Sequence, residues 1–297
     1  MKISLIVTNW NGLPLLKKYF VDVIKMSPEA QEIIFTDDAS SDASVEYIKS
    51  LQKEYSQTCL PAGRLKIITH KKNIGFGENT NYAVKKATGD YIVLLNNDIK
   101  PHPNYITHCL KHFKNPKVFG VGFAELGHEC WARIFWANGT LQHEPGKKIS
   151  KTHISAWVSG GSSIIRKKYF ERLGGFDPVY APFYCEDLDL GLRAWKSGYK
   201  LLWEPKSIVE HKHESTTSKF PKRFLDYVKE RNRLLTVLRN FSDPEFLKSN
   251  FWNRLNRIFS GPNYIKIIRA AKKQIRTNPP QVVFPVLTDK EILAMFK

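Results

Sequence analysis

Four places in this 297-residue chain crowd residues that can do acid–base or metal chemistry. Asp37 and Asp38 follow the apolar run "EIIFT", and Asn96, Asn97 and Asp98 follow "YIVLL". Glu186, Asp187 and Asp189 sit in "YCEDLDLGLR", and His211 and His213 close "SIVEHKH". A carboxylate beside carboxamides at a strand end suits a hard divalent cation. Such sites use one or two protein carboxylates and leave the rest of the shell to a substrate diphosphate. The plainer reading of Asp98 is an acid that ends a strand before Pro101. Three acids in four residues exceed what helix capping needs, and like charges this close raise one another's pKa. One of them could serve as a general base. Asp38 can accept the imide N–H of a pyrimidine, or simply open the next helix as a cap. A histidine near an Asp-held cation could complete its shell, although a lone histidine is more often structural.

These residues need elements that bring them together. "ISLIV", "EIIFTDD", "LKIIT" and "YIVLLN" read as strands, separated by helical patterns over 13–25, 45–55 and 79–87. Continuous apolar strands alternating with helices predict a doubly wound, mostly parallel α/β sheet covered on both faces. Such sheets bind ligands beyond the carboxyl ends of their strands. Thr8 and Asn9, Asp37 and Asp38, and Asn96 to Asp98 all lie at those ends and should converge. Residues 118–159 look less regular, rich in aromatics and in turns such as "ANGT" and "EPGK". Beyond them "SSIIR" predicts a strand, "CEDLDLGLRAWKSGY" a helix closed by Gly198, and "KLLWEPKSIVEHKHES" two short extended pieces. Three apolar stripes at helical spacing follow, running through Leu234, Phe251 to Phe259, and Tyr264 to Ile275. We therefore expect a domain over residues 1–215 and a basic, amphipathic helical extension over 216–297.

Bulk composition narrows the function classes. A content of 42% hydrophobic and 25% charged residues is that of a soluble globular protein. The net charge of +18 is concentrated late, with 18 Lys or Arg against 7 Asp or Glu from Lys212 onward. Such a tail suits an anionic membrane surface, a phosphorylated substrate or nucleic acid. Four cysteines, Cys59, Cys109, Cys130 and Cys185, show no C-x-x-C spacing and fit a reducing cytoplasm. The first apolar run is too short for a signal-peptide core, and no run reaches the roughly 20 residues of a membrane span. No G-x-G-x-x-G follows the first strand, which excludes a dinucleotide fold of that type.

The motifs, in their order, resemble family 2 glycosyltransferases of the GT-A fold, in the branch of rhamnosyl- and galactofuranosyltransferase-like enzymes of bacterial surface polysaccharides. The resemblance rests on "SLIVTNWNG", "IIFTDDASSDAS", "NIGFGENTNYAVKKATGDYIVLLNNDI", "GGSSIIRKKYFERLGGFD", "YCEDLDLGLRAWKSGYKLLWEPKSIVEH" and "RNRLLTVLRN", and fades beyond Asn240. It implies nucleotide binding by Thr8, Asn9, Asp38, Asn73 and Asn97, and a Mn2+ or Mg2+ ion on Asp98 and His211. It implies Asp187 as catalytic base and a sugar site around Gly160, Gly161, Glu186 and Trp157. Arg231 and Asn232 match a recurrent pair of this branch. Asn96 departs from the family, where an Asp is common.

The implied reaction is inverting transfer from a UDP- or dTDP-sugar to a hydroxyl of a glycan or lipid-diphosphate-linked acceptor. The chain would act in the cytoplasm, with its basic helices at the inner face of the plasma membrane. Competing readings are a non-catalytic sugar-nucleotide binder and a sugar-1-phosphate nucleotidyltransferase, for which "TNWNGLP" is a poor phosphate loop. A nucleic-acid-binding protein is a third, disfavoured because the basic residues lie away from the acidic motifs; no nucleic-acid partner is expected.

Overall fold

The computed structural model describes all residues except 59–63, 129, 213–219, 262–263 and 280–284. The expected boundary at 215/216 falls in one of those segments, as do His213 and Cys59.

The first half alternates strand and helix. The elements are β1 (Ile3–Asn9), α1 (Leu13–Met26), β2 (Glu32–Asp37), α2 (Ser44–Thr58), β3 (Leu65–Thr69), α3 (Phe76–Lys86), β4 (Tyr91–Asn96), β5 (Ile99–Pro101) and α4 (Thr107–Leu110). Then come β6 (Val118–Glu125), β7 (Ala132–Ala137), β8 (Thr140–Pro145), β9 (His153–Ile154), β10 (Ser162–Arg166), α5 (Lys167–Arg172), α6 (Glu186–Lys196) and β11 (Lys200–His211). The chain closes with α7 (Lys222–Asn240), α8 (Pro244–Ser260), α9 (Tyr264–Thr277) and α10 (Asp289–Ala294).

The main sheet runs β3-β2-β1-β4-β10-β6-β11-β5, with β9 added on β11. Its β3-β2-β1-β4 half is parallel, β10 is antiparallel to both β4 and β6, and β11 is parallel to β6. Alternate residues of each strand feed opposite cores. Leu5, Val7, Ile33 and Phe35 pack with α1 and α2, whereas Ile6, Ile34, Ile92 and Leu94 pack with residues of α3, α5 and α6. Both faces are buried, which is why these strands read as unbroken apolar runs.

The structure corrects the expectations in four places. Residues 118–159 are regular: β6 is a central strand, and β7 and β8 form a hairpin about Asn138 and Gly139, whose φ angles of 52° and 69° suit a tight primed turn. Pro101 does not end the extended chain. It lies in β5 at the sheet edge, opposite Val209, where a missing N–H costs no ladder bond. The two short pieces after Gly198 are one strand, β11, whose register with β6 breaks between Glu204 and Ile208. The helix expected from residue 79 starts at Phe76. α10, capped reciprocally by Thr288 and Glu291, had no counterpart in the expectations. Among the described residues, no helix is long and apolar enough to cross a membrane.

Candidate active site

The carboxyl ends of β1, β2 and β4 meet at a cavity of 550 Å³. Thr8, Asn9, Asp38, Asn73, Asn97, Asp98, Gly160, Gly161, Glu186 and Asp187 all line it. The sheet topology explains this convergence. β1 pairs in parallel with both β2 and β4, so their last residues leave the sheet on one edge.

At one end, Asp38 accepts hydrogen bonds from the backbone N–H groups of Ile74 (2.7 Å) and Gly75 (2.9 Å). It thereby pins the loop that carries the exposed Asn73. Beside it, Asn9 links three strand ends. Its Nδ2 donates to Asp37 (2.8 Å) and its Oδ1 accepts from Asn97 Nδ2 (2.7 Å). Asn9 is therefore a positioning residue as well as a lining one. Asn79, buried on α3, accepts from Thr36 and contacts His70 at the same end. Trp10, stacked on Phe220, supplies a flat aromatic wall that continues through Phe183, Tyr184 and Phe224.

Deeper in, Asp98 Oδ1 lies 3.2 Å from His211 Nε2, and His211 Nδ1 lies 3.0 Å from Glu125 Oε2. β11 delivers the histidine, β6 delivers Glu125, and the β4–β5 turn delivers Asp98. Burial alone would lower the imidazolium pKa. The hydrogen bonds to Asp98 and Glu125 outweigh it and push the group up to about 9. Among the described residues, no three His, Cys, Asp or Glu side chains form a ready-made metal cluster. Two donors nevertheless fit a divalent cation whose shell a diphosphate completes. Ligands about 2.1 Å from an octahedral ion in neighbouring positions stand roughly 3 Å apart, close to the Asp98–His211 separation. Glu125 holds the far nitrogen of the histidine, as the carboxylate partners of metal-bound imidazoles do.

Across the cavity, Glu186 and Asp187 open α6. Asp187 accepts from the Leu188 N–H at 2.8 Å, and the Gly160 amide also faces it. Burial raises the pKa of Asp187, and the charge of Glu125 adds to the rise, while those amides hold it back. Burial and the Asp187 charge raise Glu186 as well, and its buried Oε2 has no hydrogen-bond partner among the described residues. Asp189, the third acid, is structural. It is buried, accepts from Tyr180, Arg193 and Asn240, and ties α6 to α7. Gly161 is required by space, since a Cβ there would come within 2.3 Å of the Asn96 side chain.

Arg231 and Asn232 do not line the cavity; they hold the loop before α6. Asn232 Nδ2 lies 2.8–2.9 Å from the carbonyl oxygens of Tyr180, Phe183 and Tyr184, and Arg231 donates to that of Ala181. Tyr184 and Cys185 have φ angles of 76° and 72°, a left-handed conformation that side-chain-bearing residues adopt only when held.

Of the residues expected at a sugar site, Trp157 is the one that does not line this cavity. It lines a second cavity of 440 Å³ with Trp131, His143 and Glu125, bounded by the β7–β8 hairpin. Ser159 lines both cavities, so the two adjoin. Sequence reasoning missed Glu125, Trp10, Asn79 and the aromatic wall. Glu125 carried a usable signal, because it ends the apolar run "VFGVGFA" as Asn96 ends "YIVLL".

Comparison with known proteins places this arrangement. The family model described as "Glycosyl transferase family 2" matches residues 4–174, more than half of the chain, and "Glycosyl transferase family group 2" matches residues 91–260. The chain belongs to glycosyl transferase family 2. This family 2 chain is 26% identical over 231 residues to N-acetylgalactosaminyltransferase 7 of Drosophila melanogaster, covering 70% of itself and 38% of that protein. It is 29% identical over 197 residues to rhamnosyltransferase WbbL of Escherichia coli, covering 58% of itself and 74% of WbbL. In three dimensions it superposes on GalNAc-T7, solved with UDP, GalNAc and Mn2+, with a TM-score of 0.70 and 19% identity, covering 99% of itself and 56% of that chain. That likeness establishes the GT-A fold. The chain thus spans well under two thirds of N-acetylgalactosaminyltransferase 7 and of the GalNAc-T7 structure, but 74% of WbbL, which represents the rhamnosyltransferase-like branch.

Proposed function

We propose that this protein transfers a sugar from a UDP- or dTDP-sugar to a hydroxyl of a glycan or lipid-linked acceptor, inverting the anomeric carbon. The observation that carries this reading is that Asp98, in contact with His211, lines the same cavity as Asp187. Thr8, Asp38 and Asn73 would take the pyrimidine and Asn97 the ribose or phosphate, with Trp10 against the base. A Mn2+ or Mg2+ ion on Asp98 and His211 would supply charge neutralisation for the departing diphosphate.

Asp187 then removes the proton of the acceptor hydroxyl as that oxygen bonds to the anomeric carbon. The bond to the diphosphate breaks on the opposite face, through an oxocarbenium-like transition state. Gly160 and Gly161 keep the floor beneath the sugar free of side chains, and Glu186, neutral beside Asp187, can donate a hydrogen bond to it. Because the two cavities adjoin at Ser159, Asp187 would receive its acceptor from the side of Trp157, whose indole offers a sugar an apolar face. On this reading residues 1–215 are the catalytic domain, and the extension 216–297 lends it Phe220 and Phe224.

The test is Asp187→Asn. Transfer should fall by about 10²–10⁴-fold, with nucleoside diphosphate affinity unchanged. Retained transfer would remove Asp187 as the base.

A further inference from the structure

Three aromatic residues of α8, Phe251, Trp252 and Phe259, point away from the protein, whereas Phe246 in its first turn packs on Trp136 and Phe241. At 3.6 residues per turn, Ser249, Asn250, Asn253 and Arg257 share one side of this helix. That side is the one that docks. Asn250 is its buried residue and donates to the Gly139 carbonyl at 2.9 Å, Asn253 donates to that of Asn138 at 2.6 Å, and Ser249 accepts from Trp136 at 3.0 Å. Arg257 pairs with Glu230 of α7 at 2.6 Å. The opposite side carries Lys248, Phe251, Trp252, Leu255, Ile258 and Phe259. Phe251, Trp252 and Phe259 are 48%, 55% and 85% exposed, three of the eight large hydrophobic residues most exposed among those described. From Ser249 onward the usual amphipathic arrangement is thus reversed: polar residues pack, while Phe251, Trp252 and Phe259 face solvent.

We propose that this face of α8 lies on an anionic lipid bilayer. The charge around it selects that occupant. Residues 244–277, α8 and α9 together, carry eight Lys or Arg and a single acid, Glu245. On α9, Lys266, Arg269, Lys272, Lys273 and Arg276 are all exposed. Two copies of this chain joined through α8 would oppose two strongly basic surfaces. A lipid surface neutralises them while its acyl region accepts Phe, Leu and Ile, and its headgroup level accepts Trp. The inference stands apart from the proposed transfer reaction, because no residue of either cavity belongs to this face.

The experiment is co-sedimentation of the full chain with vesicles of phosphatidylcholine containing about one third phosphatidylglycerol, alongside vesicles of phosphatidylcholine alone. Wild type should partition onto the anionic vesicles, less onto neutral ones, and less as salt rises. The combined variant Phe251→Ser, Trp252→Ser, Phe259→Ser should lose about tenfold or more of that partitioning while keeping its melting temperature. Lys272→Glu with Lys273→Glu, well away from the aromatic face, should weaken anionic binding without touching the neutral baseline. No binding to anionic vesicles, or unchanged binding by the aromatic variant, would overturn the proposal. So would a dimer, or binding of a single-stranded oligonucleotide, that the aromatic variant alone abolishes.

Discussion

Two carboxyl groups on consecutive residues, Glu186 and Asp187, share the start of α6, and ionising either opposes ionising the other. Their surroundings separate them. Asp187 has backbone amides to stabilise its charge, whereas a Glu186 oxygen is buried without a hydrogen-bond partner among the described residues. A carboxyl raised in the folded state keeps its proton there while the unfolded chain releases it, so stability falls as pH rises above the ordinary glutamate value of 4.5. Glu186→Gln removes that linkage. The nucleotide-free variant should gain in melting temperature relative to wild type as pH rises from about 4.5 to 8, the two converging in acid. A pH-independent gap would show that Glu186 ionises normally. At this scale much was legible. Asp98, Asp187 and His211 stood out because charged groups interrupted apolar runs. Glu125 followed the same pattern and was hidden only because its surroundings read as irregular. Trp157 was expected at the sugar site with Gly160, Gly161 and Glu186, but which cavity it lines depends on the hairpin.

The loop from Tyr180 to Cys185 shows how elements outside the sheet position Asp187. It enters α6 through two left-handed residues and is tied from behind by Asn232 of α7. Asn232→Ala should cost about 2–3 kcal/mol of stability, because buried carbonyl groups lose their donor. It should also lower turnover beyond what the lost stability explains, by releasing Asp187. Stability lost with turnover per folded molecule intact would make Asn232 a purely structural residue. The "RNR" motif was visible in the sequence, but its partners lie some 50 residues upstream, a pairing that periodicity cannot reveal. The strands and helices that were legible, α8 aside, share one physical reason: each buries a continuous apolar face. Legibility ended where a strand changed partners, as in β11, or where Pro101 took an edge position that tolerates it.

Across the whole molecule, a strongly basic chain surrounds an acidic cavity. Charge excess is concentrated in the helices after residue 212, while Asp38, Asp98, Glu186 and Asp187 line the site. This separation matches a surface held near anions and a cleft that needs a cation before it can accept a diphosphate. Composition revealed the excess and its position along the chain; the reversed face of α8 became visible only with the helix docked.

The central claim is that Asp98 and His211 form a cation site for a pyrimidine nucleoside diphosphate. The direct measurement is a thermal-shift titration of wild type and Asp98→Asn with UDP and dTDP, each with and without Mn2+. A ligand that binds the folded state alone raises its melting temperature. Wild type should be stabilised by UDP or dTDP in the presence of Mn2+, much less without it, and Asp98→Asn should lose the metal-dependent part. Equal stabilisation with and without Mn2+, or a shift that survives Asp98→Asn unchanged, would contradict the account.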